Sequence, residues 1–310
     1  MTNQRLVLLV SHTAREEALS ATLECAKALV NAGITPVMEQ QQLQSTLEYA
    51  KRVSSQVGAS VLELGKDAQE TDLELAVVLG GDGTILKAAE LVRASQTPLL
   101  GINLGHVGFL AESEKNEIGS TIARVVAKDY LVKERLTLDV SVMVDGKEVY
   151  RTWALNEATV EKSARERMLE VVVEVDGRPL SSFGCDGIVI STPTGSTAYA
   201  FSAGGPVVWP SVDALLMVPL SAHALFARPL VISPNSLVAV EVLKRSAGAG
   251  VLWCDGRRTT DLPAGARVEV RKSDKPVRLA RLRQGPFTDR LVRKFSLPVE
   301  GWRGPDSKKD

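Results

Sequence analysis

Two stretches of this chain have the residue types for group-transfer chemistry. The first is Gly80-Gly81-Asp82-Gly83-Thr84, preceded by the apolar run Val77-Val78-Leu79 and followed by Ile85-Leu86-Lys87-Ala88-Ala89. It reads as a strand, a tight turn and a helix start. Such a turn presents backbone N–H groups and the positive end of a helix dipole, which suits a phosphate. Glycine lets the ligand approach the backbone, so Gly80, Gly81, Gly83 and Thr84 are the candidate phosphate contacts. Asp82 adds nothing to a bare phosphate cradle. An acid there points to base work on a hydroxyl or to a metal partner. The plainer reading is a left-handed turn whose Asp caps the next helix.

The second stretch runs from Asp186 to Tyr199 and is the densest motif in the sequence. After the strand Ile188–Ser191 come Thr192-Pro193-Thr194-Gly195-Ser196-Thr197-Ala198-Tyr199. Hydroxyls and loop amides can bind ribose, phosphate or base edges, and Tyr199 can stack on a base. The plainer reading is a Ser/Thr-rich turn capping a helix over 196–201. The G-x-S-x-G spacing of an acyl-transfer nucleophile is absent. Asn156-Glu157 pairs an amide with an acid, a possible hydroxyl clamp or a solvated pair. Asp255-Gly256 is either a plain hairpin turn or a second acidic site.

The elements that must position these residues divide near residue 134. Before it, strands are expected at 5–11, 34–38, 61–64, 75–79 and 98–102, alternating with helices at 43–57 and 113–128 and after each Gly-rich turn. Thr13-Ala14-Arg15-Glu16 has capping-box spacing ahead of the helix that Gly33 ends. This alternation predicts a Rossmann-like parallel sheet, with ligands outside the carboxyl ends of its strands. His12 and Thr13 would then lie near the phosphates. From 135 to 284 the pattern alternates with period two and is broken by Asp-Gly pairs, which predicts a layered all-β domain, a β-sandwich. A short amphipathic helix at 287–295, with Leu291, Val292 and Phe295 inward, is expected to pack back on the first domain. The domains are therefore 1–134 plus 285–310, and 135–284. Residues 304–310 read as a frayed tail.

Bulk properties narrow the function. At 310 residues with a formal net charge of +0, no bulk attraction to nucleic acid or membrane is implied. No run approaches the ~18 apolar residues of a membrane span. Three widely spaced cysteines and three histidines argue against disulfides and a zinc cluster and fit a reducing cytoplasm.

Taken in order, Gly80-Gly81-Asp82-Gly83-Thr84, Gly101-Ile102-Asn103 with Gly105 and Gly108-Phe109-Leu110, Asn156-Glu157, the Asp186–Tyr199 block, Arg228-Pro229-Leu230 and Asp255-Gly256 resemble the NAD kinase family. The resemblance covers about residues 75–295. Gly-Gly-Asp-Gly alone is shared with diacylglycerol, sphingoid and 6-phosphofructo-kinases; the Thr-Pro-Thr-Gly-Ser-Thr-Ala-Tyr loop is far more specific. The resemblance implies transfer of the γ-phosphoryl of ATP, or of inorganic polyphosphate, to the 2′-hydroxyl of the adenosine ribose of NAD. It implies Asp82 as the base and a divalent cation, Mg²⁺, held mainly by nucleotide phosphates. It implies NAD contacts from Gly83, Phe109, Asn156, Glu157, Asp186, Thr194, Thr197, Ala198, Tyr199 and Asp255, in a cleft between the domains. A homodimer or homotetramer is expected, built through the β domain. His106-Val107 and Cys185 depart from the family pattern and bear on the choice between NAD and NADH. A lipid or sugar kinase sharing the Gly-Gly-Asp-Gly turn and a non-catalytic dinucleotide-binding module are the alternatives. The first should lack the hydroxyl-rich loop, and the second has no need of Asp82.

Overall fold

The computed structural model describes residues 4–55, 61–105, 108–164, 167–246, 248–282 and 285–299. His106, Val107 and the tail from 304 lie outside them.

The chain begins β1 (Leu6–Ser11), α1 (Glu16–Asn31), β2 (Thr35–Met38), α2 (Gln40–Arg52), β3 (Leu62–Glu63), β4 (Leu73–Leu79), α3 (Asp82–Leu91), β5 (Leu99–Asn103), β6 (Ser113–Glu114), α4 (Ile118–Val126) and β7 (Leu131–Arg135). Strands β8 (Leu138–Val144), β9 (Lys147–Ala154), β10 (Glu157–Lys162), β11 (Leu169–Val175), β12 (Arg178–Cys185) and β13 (Gly187–Ser191) follow. The one-turn α5 (Tyr199–Ser202) precedes β14 (Leu215–Leu220), β15 (Leu230–Ile232), β16 (Val238–Val242), β17 (Gly250–Cys254), β18 (Arg258–Leu262) and β19 (Arg267–Lys272). The chain closes with β20 (Val277–Arg281) and α6 (Phe287–Phe295). It divides into two compact units, one of residues 1–134 and 278–310, the other of 135–277.

The first unit is a sheet in the order β3-β2-β1-β4-β5-β20-β7, with β6 on β5. Strands β3-β2-β1-β4-β5-β20 pair in parallel along this order, as does β6 with β5. Strands β1 and β4 are apolar at nearly every position, as strands covered on both faces must be. Chain order reverses direction between β1 and β4. In an open parallel sheet that reversal opens a crevice at the carboxyl ends of the two strands, where ligands bind. Ser11 pairs with Leu79 at this end, so His12-Thr13 and Gly80-Gly81-Asp82 both leave the sheet there.

The second unit consists of two antiparallel sheets, β15-β14-β13-β10-β17-β18 and β12-β11-β16-β19-β8-β9. One core draws on both: Leu138, Val171, Val240 and Val268 from one sheet meet Val160, Ile188, Leu215 and Leu252 from the other, each at most 1% exposed. The turns Asp145-Gly146, Asp176-Gly177 and Asp255-Gly256 all have positive φ at both residues, the geometry of a two-residue hairpin.

Several expectations need correction. The strand expected at 277–282 forms, but it pairs in parallel with β5 through Leu279 and Leu99, within the first sheet. The continuous strand expected from Val132 breaks into β7 and β8, which join different sheets. The capping box at Thr13 does not form; α1 starts at Glu16 after Arg15, which makes no side-chain cap. The helix expected from Ser113 starts at Ile118, after β6 and a short 3-10 turn. There Glu114 and Glu117 form a reciprocal capping box.

Candidate active site

In the first unit, Asp82 is the first residue of α3, and Gly81 is the residue that precedes the helix. The Asp82 carboxylate makes no cap to its own helix. Its two oxygens instead accept the backbone N–H groups of Phe109 and Leu110, each at 3.1 Å. The helix-cap reading therefore fails. The carboxylate is held in one orientation from the loop after β5. Each oxygen keeps a further lone pair for another partner.

The glycines around Asp82 fall into two groups. A Cβ on Gly80 would overlap the Thr84 hydroxyl, and one on Gly108 would lie 2.5 Å from Asp82 Oδ1. One on Gly101 would come within 2.7 Å of Ile85 and 2.9 Å of the Ala111 backbone. These three are glycine because the chain packs against itself. Gly81 and Gly83 have nothing within 4 Å. No described residue uses the space they keep open. The N–H groups of Gly81, Asp82 and Gly83, the unpaired first-turn donors of a helix, have no partner among the described residues. Open space next to free donors at a positive helix end is what an anionic group requires.

The loop that grips Asp82 is itself gripped by α6. Phe109 is 8% exposed and lies between Phe287 and Phe295, with ring centroids 5.9 and 5.7 Å away. Phe109, expected to pack on a dinucleotide, has α6 as the source of these two aromatic partners. Arg290 donates to the carbonyls of Phe109 (2.8 Å) and Ala111 (3.2 Å) and to the Glu112 carboxylate (2.7 Å). Arg281 reaches the same Glu112 oxygen at 2.5 Å. Burial holds the Arg281 guanidinium below its ordinary value, with the Arg290 charge pushing the same way; Glu112 and Asp82 oppose them.

In the second unit the hydroxyl-rich loop is packed on residues 155–157. Thr192 Oγ1 donates to the Leu155 carbonyl at 2.6 Å, and Ser191 Oγ to the Asn156 carbonyl at 3.0 Å. Ser196 Oγ donates to the Pro193 carbonyl and accepts from the Val208 amide. These three hydroxyls are fully buried. Gly195 must be glycine, since a Cβ would overlap the Asn156 carbonyl. Residues 195–197 form a 3-10 turn, and the helix starts only at Tyr199. The hydroxyls therefore divide. Ser191, Thr192 and Ser196 build the loop. Thr194 and Thr197, with Ala198 and Tyr199, form its more accessible side, and Tyr199 is 38% exposed.

Asp255 fixes the other side of the same segment. Its carboxylate accepts the Leu155 amide (3.0 and 2.9 Å), the Asn156 amide (2.7 Å) and Arg258 Nη2 (2.8 Å). Arg258 also donates to the Trp153 carbonyl and stacks over the Trp153 ring at 4.6 Å. Asp255 makes the hairpin turn, and its carboxylate holds the backbone of Leu155 and Asn156 rather than facing outward. Asn156 is 8% exposed, and its side-chain amide makes no hydrogen bond among the described residues. Glu157 is 7% exposed, and its Oε2 has no hydrogen-bond partner among the described residues. Burial, reinforced by the Asp255 charge and opposed by the Tyr199 amide, pushes the Glu157 carboxyl up to about 8. Asp186, between β12 and β13, pairs with Lys162 at 2.5 Å. That ammonium holds its carboxyl below the usual range, as does the Ser221 hydroxyl.

Sequence reasoning missed Arg258, Arg290 and Lys162. Arg258 had a faint signal, three residues beyond Asp255 across a hairpin. The other two had none, because their partners are remote in sequence.

Residues 7–130 match the ATP-NAD kinase N-terminal domain and residues 155–282 the ATP-NAD kinase C-terminal domain. The chain is 61% identical over 308 residues to the NAD kinase of Leifsonia xyli, covering 99% of this chain and 100% of that one. It is 56% identical to the NAD kinase of Thermobifida fusca, covering 100% and 94%. Yeast NADH kinase complexed with NADH has the same fold, with a TM-score of 0.82 at 23% identity over 96% of this chain and 89% of that one. An NAD kinase from Archaeoglobus fulgidus in complex with ATP gives 0.68 at 24%, over 94% and 100%. With both halves matched and a full-length relative at that identity, the chain belongs to the NAD kinase family.

Proposed function

We propose that Asp82 takes the proton from the 2′-hydroxyl of the adenosine ribose of NAD as that oxygen attacks the γ-phosphorus of ATP. A new ribose O–P bond forms, and the bond from the γ-phosphorus to the bridging oxygen breaks. ADP leaves and NADP remains. The observation that carries this assignment is the double amide grip on the Asp82 carboxylate, which aims a base without consuming its outer lone pairs. The free N–H groups of Gly81, Asp82 and Gly83 supply the donors for phosphate oxygens and for charge developing in the transfer.

NAD is held by the second unit in this reading. Asn156 offers an unengaged amide and Glu157 an unengaged carboxyl oxygen. Thr194, Thr197, Ala198 and Tyr199 form the accessible edge of the loop, with Asp186 nearby in sequence. Asp255 supports them from behind. Among the described residues no cluster of three or more His, Cys, Asp or Glu stands ready for a metal. We assign a divalent cation carried mainly by the nucleotide phosphates, with Asp82 the acid at the turn. Such a cation, Mg²⁺ in this reading, neutralises charge on the phosphates when bound. A sugar or lipid kinase has no use for the loop that follows β13.

The exposed apolar residues Trp209, Val212, Leu225, Phe226 and Val231 all lie in the second unit and support self-association into a dimer or tetramer. No helix among the described residues is long and apolar enough to cross a membrane. From the free thiols of Cys25, Cys185 and Cys254 we place the enzyme in the reducing cytoplasm. The test is a coupled assay of purified protein with NAD, ATP and Mg²⁺, run beside NADH and polyphosphate. NADP formation that depends on Asp82 is the expected result. NADP formation at an undiminished rate by Asp82→Asn overturns the base assignment.

A further inference from the structure

The geometry assigns Arg290 a positioning role in phosphoryl transfer: it fixes the backbone of residues 109–112, and through that backbone the two amides that aim the Asp82 carboxylate. The inference rests on Asp82 being the base.

The chain of contacts is continuous and lies within the first unit. Arg290 sits in the middle of α6, with its side chain 15% exposed. One guanidinium nitrogen bridges the carbonyls of Phe109 and Ala111; the other meets Glu112. The Glu112 side chain is 3% exposed and also holds Arg281, at the end of β20. The Glu112 amide donates to the Gly101 carbonyl, which ties the segment to β5. Between these anchors run the amides of Phe109 and Leu110, both directed at Asp82. Phe287 and Phe295 flank Phe109 and keep the loop from turning over.

A backbone loop is mobile unless its carbonyls and amides are engaged. Here the carbonyls are held by one planar cation, so the amides have a fixed direction. The fork matters: only a guanidinium presents several coplanar donors, whereas an ammonium is a point charge. Misplacing a reacting group by about 1 Å can cost about 100-fold in rate. The loop can slip by such a distance once the fork is gone.

The experiment measures steady-state kinetics of Arg290→Ala, Asp82→Asn and the double variant in the full chain. Arg290→Ala is expected to lower kcat about 10- to 100-fold and to leave KM for NAD and ATP within about threefold. Added guanidinium ion should restore part of kcat. In the Asp82→Asn background the same change should cost less than about twofold, since the group being aimed is gone. A merely structural role would shift melting temperature equally in both backgrounds and give no rescue. An Asp82→Asn loss with wild-type kcat in Arg290→Ala overturns the positioning role and leaves the base assignment standing. Wild-type activity in Asp82→Asn overturns both. If Arg290→Ala does not fold, Arg290→Lys decides: it keeps a charge for Glu112 but loses the fork. Its kcat should fall about tenfold, and an unchanged value overturns the inference.

Discussion

The Asp255 amide donates to the Glu157 carbonyl at 3.0 Å, so two carboxyl side chains lie at the same end of the β10–β17 pair with very different company. Asp255 has two backbone amides and the Arg258 cation. Glu157 has one amide, from Tyr199, and an oxygen with no partner. Burial pushes the Asp255 carboxyl up, opposed by these amides and Arg258, while burial together with the Asp255 charge pushes the Glu157 carboxyl up to about 8.

That difference gives a pH prediction with a definite sign. The Glu157 carboxyl is raised from 4.5 to about 8 on folding, so between these values the native state binds the extra proton. Stability contributed by this site falls as pH rises through that window, by up to about 1.4 kcal/mol per pH unit. Glu157→Gln mimics the neutral acid. Its melting temperature relative to wild type should rise steadily from pH 5 to about 8. A constant difference across that range refutes the shift. NAD affinity of Glu157→Gln at pH 7 should stay within about threefold of wild type.

Asp82→Asn should keep NAD binding and lose most NADP formation, by about 100-fold or more. Calorimetric titration with NAD and the coupled assay separate the two effects. The substitution also turns an NH₂ toward one of the loop amides, so a modest loss of thermal stability is expected as well.

Gly83 and Gly195 should respond in opposite ways. Gly83 lies in α3 with open space around it, so Gly83→Ala should leave the fold unharmed or stabilise it by up to about 1 kcal/mol. It should still weaken ATP, since its methyl fills room the chain itself does not use. Gly195→Ala meets the Asn156 carbonyl and should cost about 2 kcal/mol or more in stability. Thermal melts beside KM for ATP distinguish the pair. An unstable Gly83→Ala would refute the reading.

Asp255→Ala should leave the Arg258 cation without its carboxylate and the Leu155 and Asn156 amides without their acceptor. A loss of about 3–5 kcal/mol is expected, with a raised KM for NAD in whatever folds. Arg258→Ala should raise KM for NAD in the same direction and by less, as the two amides still hold Asp255. Chemical denaturation and substrate titration test both.

Local chemistry was legible in the sequence where local spacing decides it. The α6 helix spans the expected 287–295 because its apolar period and Pro286 are local signals. The turn at Gly80–Thr84 follows a buried parallel strand for the same reason. Sheet membership was not legible: Val277–Arg281 has the alternation of an antiparallel strand, and only a partner 180 residues earlier in the chain sends it to β5. Nor could spacing divide the hydroxyls after β13, since Thr192 and Thr197 differ only in which of them meets the 155–157 backbone. The aromatic neighbours of Phe109 were not legible either, since they arrive with α6.

The return of the chain to its first unit has a consequence for biogenesis. A ribosome that has made residues 1–134 has produced the Gly-Gly-Asp-Gly turn but not the clamp that orients it. The whole β unit must then emerge before Arg290 and Phe295 are synthesised. Chains stopped before α6 carry the turn without the contacts that hold the Phe109 and Ala111 carbonyls. In this reading the Asp82 carboxylate is aimed only once α6 has been made, after the entire β unit.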